Sequence, residues 1–130
     1  MRADPPASDA DVTVSLVSQR CGRRTRRDLN DVLDLLLTVH VTNGGRATAR
    51  ITPARIKLIF RGDAGTEPER HGLPSDLPPG SSSDLQVHFF RWGSAKCDEP
   101  MALSFDGAIE VQGRGLRLRP LFFVAEASDV

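Results

Sequence analysis

The sequence predicts an all-β domain, a two-sheet sandwich of seven to eight antiparallel strands. Apolar and polar residues alternate with a period of two in most segments, and the helical period is almost absent. Turn-forming residues separate these segments, at Asn43-Gly44-Gly45, Asp106-Gly107 and Gly113-Arg114-Gly115. Because each strand has one apolar face, two sheets must cover one another to keep those faces dry.

The first two predicted strands show the clearest alternation. Val12, Val14 and Leu16 mark the first strand, and an arginine-rich loop follows from Arg20 to Asp28. The second strand has an apolar row that consists of Leu33, Leu35, Leu37, Val39 and Val41. A helix over residues 29–37 is the rival interpretation, but the alternation continues through residues 38–42, which are rich in β-branched side chains. The pattern therefore favours a strand.

Shorter strands fill the rest of the chain. One ends at Pro53, and the next carries the row Ile56, Leu58 and Phe60. Residues 62–83 form a connection of about twenty residues, which is long enough to predict a short edge strand or a binding role. Later segments are the strand of Leu85, Val87 and Phe89, a hairpin of residues 101–105 and 108–112, and a last run, residues 116–124. Pro120 makes that last strand an edge or a bulged strand.

The order of these features resembles the immunoglobulin-like sandwich domains of small bacterial secreted proteins and lipoproteins, many of unknown function. The matching segments are Thr42-Asn43-Gly44, Ile51-Thr52-Pro53, Ile56-Lys57-Leu58, Leu77-Pro78-Pro79-Gly80 and Leu85-Gln86-Val87-His88-Phe89. The resemblance covers residues 12–124 and implies a sandwich there. The Pro-, Ala- and Asp-rich residues 1–11 are interpreted as a flexible tether, and residues 125–130 as a tail. The resemblance implies no active site. The chain has no tyrosine, so the tyrosine corner of true immunoglobulin domains is missing.

Charge indicates a binding surface in a protein that is neutral overall. The 17 basic and 17 acidic residues balance, so no global field attracts nucleic acid or an anionic membrane. Five cations nevertheless fall within eight residues, and they are Arg20, Arg23, Arg24, Arg26 and Arg27. This segment could bind phosphate, lipid headgroups or an acidic protein partner, and of these we expect a protein partner. The alternative is a solvated loop. No aromatic residue lies between the arginines, so base stacking and specific nucleic-acid binding are not expected.

Aromatic residues indicate a second part of that surface. Phe90, Trp92, Leu121 and Phe123 do not all fit one inward register. Exposed aromatic side chains are typical of partner surfaces, and Phe90 and Trp92 are therefore predicted to contact the partner. The alternative is that these side chains fold under a neighbouring loop.

No pattern in the sequence predicts catalysis, a metal site or a cofactor. His40, His71 and His88 are far apart, and Cys21 and Cys97 have no C-x-x-C spacing. In an immunoglobulin-like order, His40 and His88 would lie on neighbouring strands and could form a cross-strand pair. A small hydrolase or metal-binding protein that uses these histidines and Cys97 is therefore the alternative to a non-enzymatic binding or assembly module of the bacterial cell envelope that acts through surface loops.

The two cysteines are expected to form a disulfide if the protein is exported. They are the only two in the chain, and each is predicted to lie in a loop at one end of the sandwich. Two separate buried thiols become the better interpretation if the protein is cytoplasmic. We expect a periplasmic or secreted protein, with membrane-surface anchoring through a removed N-terminal segment as a further option, and no transmembrane segment.

Overall fold

The computed structural model describes residues 11–25, 31–60, 65–92 and 97–126. Across these residues the fold is all-β, every strand pair is antiparallel, and one 3₁₀ turn covers Pro53–Arg55. The strands are β1 (Val12–Thr25), β2 (Asp31–Asn43), β3 (Ala49–Ile51), β4 (Lys57–Phe60), β5 (Arg70–His71), β6 (Ser75–Leu77), β7 (Ser82–Trp92), β8 (Pro100–Ser104), β9 (Ile109–Val111), β10 (Arg114–Gly115) and β11 (Leu121–Val124).

The ends of the chain fall only partly within this description. Residues 1–10 of the predicted tether and residues 127–130 of the predicted tail lie outside the described residues. In the described part of the chain, no helix is long and apolar enough to cross a membrane.

The strands form three sheets, with the orders β1-β2-β7-β5, β10-β9-β3-β6 and β11-β8-β4. The prediction of two sheets and seven to eight strands is therefore wrong in number, since the described residues contain eleven strands. Part of the excess comes from β5, β6 and β10, which are two or three residues long. Strands this short contain no measurable alternation, so no sequence pattern could reveal them.

Strand β2 has the two-faced character that its sequence predicts. It pairs with β1 on one side and with β7 on the other, from Val32 opposite Trp92 to Thr42 opposite Ser82. Its apolar row is fully buried, and that row is Leu33, Leu35, Leu37, Val39 and Val41. The choice of strand over helix for residues 33–42 is confirmed.

Strand β1 is longer than predicted. The arginine-rich loop was expected to begin at Arg20, but β1 continues to Thr25 opposite β2. A bulge between Leu16 and Ser18 shifts the register, so Gln19 and Cys21 follow Leu16 on one face. This extra residue interrupts the period-two pattern, and the interruption explains why the sequence was interpreted as the end of a strand.

The predicted hairpin at Asp106-Gly107 is wrong. Strand β8 pairs with β4 and β9 pairs with β3, and β8 and β9 do not pair with each other. The turn itself is present, because the Ala108 N–H donates to the Phe105 carbonyl and Gly107 has φ = +77°. The 3₁₀ turn between β3 and β4 lies opposite, where the Thr52 N–H donates to the Ala108 carbonyl. Two facing bends therefore interrupt one long pairing, which splits it into two sheets.

The turn after β2 depends on a side chain rather than on left-handed backbone. The predicted turn at residues 43–45 is present, and none of these residues has positive φ, although all three tolerate it. Asn43 is instead fully buried, and its Nδ2 donates to the carbonyls of Ala47 and Leu77 at 2.9 Å each. Its Oδ1 accepts the Gly45 N–H at 3.0 Å. These three bonds satisfy the buried amide and connect the end of β2 to β6.

One continuous core joins the three sheets. The buried cluster takes Leu35 and Val39 from β2, Phe89 from β7, Leu58 from β4 and Ile109 from β9. The other face of β2 and β7 is turned toward solvent and carries polar side chains.

Candidate functional site

The candidate site is the solvent side of the sheet β1-β2-β7-β5, here called the outer face. Because side chains alternate along a strand, burial of the apolar row places the intervening residues on the outer face. The central residues of this face are Asp34, Leu36, Thr38 and His40 of β2, with Asp84, Gln86, His88 and Phe90 of β7. The outer face therefore combines two aspartates with two histidines.

His88 is held in place by Asp34 and Phe90. Its Nε2 hydrogen-bonds Oδ1 of Asp34, which lies diagonally across the β2–β7 pair. The two side chains are only 18% and 14% exposed. The Phe90 ring lies 4.3 Å from the imidazole, centroid to centroid, at a tilt of 52°. This shielding from water makes the pair stronger than an exposed pair of the same groups.

His40 pairs with Asp84 in a more exposed position. The two residues are directly opposite each other, and Nδ1 of His40 lies 2.6 Å from Oδ1 of Asp84. Their side chains are 39% and 57% exposed. The predicted pairing of His40 with His88 is wrong, although their strands are neighbours. The register places Leu36 opposite His88, so each histidine meets an aspartate of the other strand.

A groove of about 860 Å³ opens on the outer face where β5 ends. Its lining residues are Leu36, Thr38, Arg70, His71, Gly72, Asp84, Gln86 and His88. Strand β5 supplies Arg70, opposite His88, and His71, whose Nδ1 bonds the Gly72 carbonyl at 2.9 Å. The prediction of a short edge strand within residues 62–83 is confirmed by β5 and β6. The contribution of Arg70 was not predicted, because nothing in the sequence marks an exposed two-residue strand.

Two arginines stand at opposite margins of the outer face. The backbone register runs from Arg20 on β1 through Leu36 and His88 to Arg70 on β5. Arg20 and Arg70 are exposed, and within the described residues neither guanidinium has a hydrogen-bond or ion-pair partner. Since Asp34 and Asp84 are already paired with histidines, the two guanidinium charges remain available to a partner.

The other predicted arginines are only partly within the described residues. Arg23 and Arg24 lie on β1, in strand rather than in loop, and their side chains are outside the description. Arg26 and Arg27 lie outside the described residues altogether. Of the predicted cluster, the structure therefore places only the Arg20 side chain on the outer face.

Of the two aromatic residues predicted to contact the partner, the structure describes only one side chain. Phe90 is half-buried on the outer face, against His88. Trp92 is the last residue of β7, opposite Val32, and its side chain lies outside the described part of the chain. Leu121 and Phe123 pack on the core, whereas Phe122 is 78% exposed. Among the described aromatic residues, the exposed Phe122 is thus one that the pattern did not indicate.

Cys21 and Cys97 lie at disulfide distance, with Cα atoms 6.0 Å apart. Cys21 is in β1 opposite Leu35, rather than in a loop as predicted, and it is fully buried. Cys97 is in the turn before β8. A bonded sulfur is not a nucleophile, so this pairing leaves no thiol for a Cys–His hydrolase.

The arrangement of the histidines also bears on the metal-binding alternative. His71 and His88 line the same groove, and His40 bonds a third lining residue, Asp84. Within the described ranges, however, no three His, Cys, Asp or Glu side chains are grouped so that they could hold a metal ion.

Comparisons with known proteins show a similarity in fold. No protein-family model and no curated protein matches it. It is similar to the X-ray structure of a Northeast Structural Genomics Consortium target, with a TM-score of 0.52 and 10% sequence identity. The similarity covers 92% of this chain and 90% of that one. At this identity the likeness shows a shared fold alone.

The two His–Asp pairs should differ in strength. In double-mutant cycles with alanine, we expect a coupling free energy of about 1–3 kcal/mol for His88 and Asp34, which are shielded from water. For His40 and Asp84 we expect less than about 1 kcal/mol, because both are solvated. Urea unfolding of the single and double variants gives both values. A larger coupling for the exposed pair would contradict the assigned roles of burial and Phe90.

The cysteine pair makes a chemical prediction. In protein taken from its native compartment, alkylation in denaturant should modify neither cysteine before reduction and both after it. Reduction should also lower the free energy of unfolding, by up to about 4.5 kcal/mol if chain entropy in the unfolded state dominates. A variant with both Cys21→Ala and Cys97→Ala is the control, since reductant should not affect it. Two alkylated cysteines without reductant would refute the bridge.

Proposed function

We propose that this protein is a non-enzymatic binding or assembly module of the bacterial cell envelope. The proposal rests on one observation made on the described residues. The guanidinium groups of Arg20 and Arg70 have no partner there, on an outer face whose aspartates are paired with histidines. A surface with available positive charge on a chain of zero net charge favours local recognition over long-range attraction. The partner that fits this surface is an acidic protein.

The finer form of the fold is part of the proposal. In one sheet the first, second, seventh and fifth strands are neighbours, and β6, β3, β9 and β10 follow one another in another sheet. This order supports an immunoglobulin-like arrangement in which the sheets face one another across the shared core. Such domains commonly bind partners through a sheet face, a sheet edge or their end loops, which supports a binding role for this protein.

The proposed location is periplasmic or extracellular. A cysteine pair at disulfide distance supports this, because disulfides form and persist in oxidising compartments and are rare in the cytoplasm. The bridge would join β1, next to Arg20, to the turn before β8, and would hold that end of the outer face in a fixed position.

The proposal is tested by capture from the native organism. The tagged protein, with Arg20→Ser and Arg70→Ser combined, is compared with the unchanged protein and with a control in which Arg117→Ser and Arg119→Ser remove equal charge elsewhere. Arg117 and Arg119 are exposed and lie outside the outer face. We expect the control to capture the partner normally and the test variant to lose capture by about tenfold or more, which corresponds to about 1.4 kcal/mol. The loss should shrink as salt rises.

Undiminished capture by the test variant would refute the role of these arginines. If the unchanged protein retains no specific protein at low salt, the proposed binding function itself fails. Circular dichroism of each variant checks that folding is intact.

A further inference from the structure

We infer that an extended segment of an acidic partner adds as a strand to the free edge of β7, beside Asp84 and Gln86. This inference deepens the proposed binding function and names where and how the partner contacts the protein. It rests on the short length of β5, on the direction of the backbone groups of β7, and on the groove next to them.

Strand β5 covers only a small part of the edge of β7. It pairs at two positions, Arg70 opposite His88 and His71 opposite Val87. The chain then leaves this sheet, and the next strand, β6, pairs with β3 in a different sheet. From Gln86 to Ser82, β7 therefore has β2 on one side and no described strand on the other.

The backbone groups on this edge point toward the open side. In an antiparallel sheet, the N–H and C=O groups of successive residues point alternately to the two neighbouring strands. The Ser81 carbonyl accepts from Asn43 at the end of β2, and the His88 carbonyl accepts from Glu69 next to β5. Even-numbered residues of β7 therefore face away from β2, and Asp84 and Gln86 are among them.

These groups have no backbone partner among the described residues on the open side. Unpaired N–H and C=O groups in a row form a template for another strand. Natural sheets often protect such an edge with lysine or proline, and residues 82–86 contain neither. Asp84 is the one charge there, and His40 lies 2.6 Å from it.

The groove gives the added strand its side-chain chemistry. A strand at this position would continue the line of β5. Its residue opposite Gln86 would place its side chain in the groove, beside Leu36 and His88. Arg70 stands at the β5 end of the groove, with no partner for its guanidinium in the described part of the chain. A glutamate or aspartate that faces the outer face near Gln86 would meet this charge. The favoured occupant is therefore an extended acidic segment of a protein.

A model peptide tests this directly. The probe is a labelled nine-residue peptide of alternating valine and glutamate, and its binding is measured by fluorescence anisotropy. In antiparallel addition, the residues that exchange backbone bonds with Asp84 and Gln86 are those that share their face. These are the glutamates if the acidic side chains face Arg70. N-methylation of the glutamates should therefore weaken binding by about tenfold or more, whereas N-methylation of the valines should leave it within about threefold.

Protein variants examine the same contact from the other side. Gln86→Pro removes the N–H that faces the open edge and is tolerated where that group bonds no strand. We expect it to weaken binding about tenfold, while Gln86→Ala, which keeps the N–H, stays within about threefold. Arg70→Ser should also weaken binding about tenfold, with Arg117→Ser as the matched control. If Gln86→Pro does not fold, the two N-methylated peptides decide the question.

Several results would overturn the inference. The first is that the valine–glutamate peptide does not bind at millimolar concentration. The second is that the two N-methylated peptides bind equally well, and the third is that a peptide with lysine in place of glutamate binds equally well. If these results accompany normal capture of a native partner that depends on Arg20 and Arg70, strand addition is wrong and the proposed function stands. If capture fails as well, both fail.

Discussion

The hydrogen bonding of β2 on both sides is the constraint on which the rest of the structure depends. Strand β2 pairs with β1 and with β7 along most of its length. The same alternation that buries Leu35 and Val39 places Asp34 and His40 on the outer face. A slip of one residue would move every side chain of β2 to the opposite face. The core therefore fixes the geometry of the site, and the His–Asp pairs cannot shift without loss of burial.

The cysteine pair adds a second constraint at one end of the outer face. Cys21 lies on β1, at the margin of one sheet, and Cys97 lies in the turn that leads to β8 of another. The Asp98 N–H donates to the Ala125 carbonyl just after β11, and Gln19 reaches the Val124 carbonyl. Strand β1 is thus connected to the end of β11 directly by the Gln19 side chain, and indirectly through the cysteine pair and the backbone bond of Asp98. The Arg20 backbone lies within the long β1–β2 ladder, whereas β5 holds Arg70 by only two paired residues.

The sequence predicted the features that depend on local pattern. The all-β class and the strand of residues 33–42 follow from alternation and turn chemistry. The edge strand within residues 62–83 was expected only from the length of that connection. The errors concern pairing at a distance. Asp106-Gly107 forms the turn that its chemistry predicts, but the strands on either side pair with β3 and β4, because the bend at Pro53–Arg55 faces that turn.

The candidate site shows the same limit. Arg70 and Gln86 are ordinary polar residues in the sequence, and they become significant only because β5 ends after two residues beside β7. Asp34 is one of three aspartates that closely follow the arginines in the sequence, and only the diagonal register brings it to His88. Alternation gives the face of a residue but not its neighbour on the next strand, since register depends on every pair along the strand.

The central claim is that a partner binds the outer face and the adjoining edge of β7. Hydrogen–deuterium exchange of the protein, alone and with its captured native partner, tests this most directly. The account predicts slower exchange on binding at residues 82–86 and 69–72, with little change at β11, β8 and β4. Protection confined to β11, β8 and β4, around the exposed Phe122, would contradict it and would place the binding surface on the other side of the molecule.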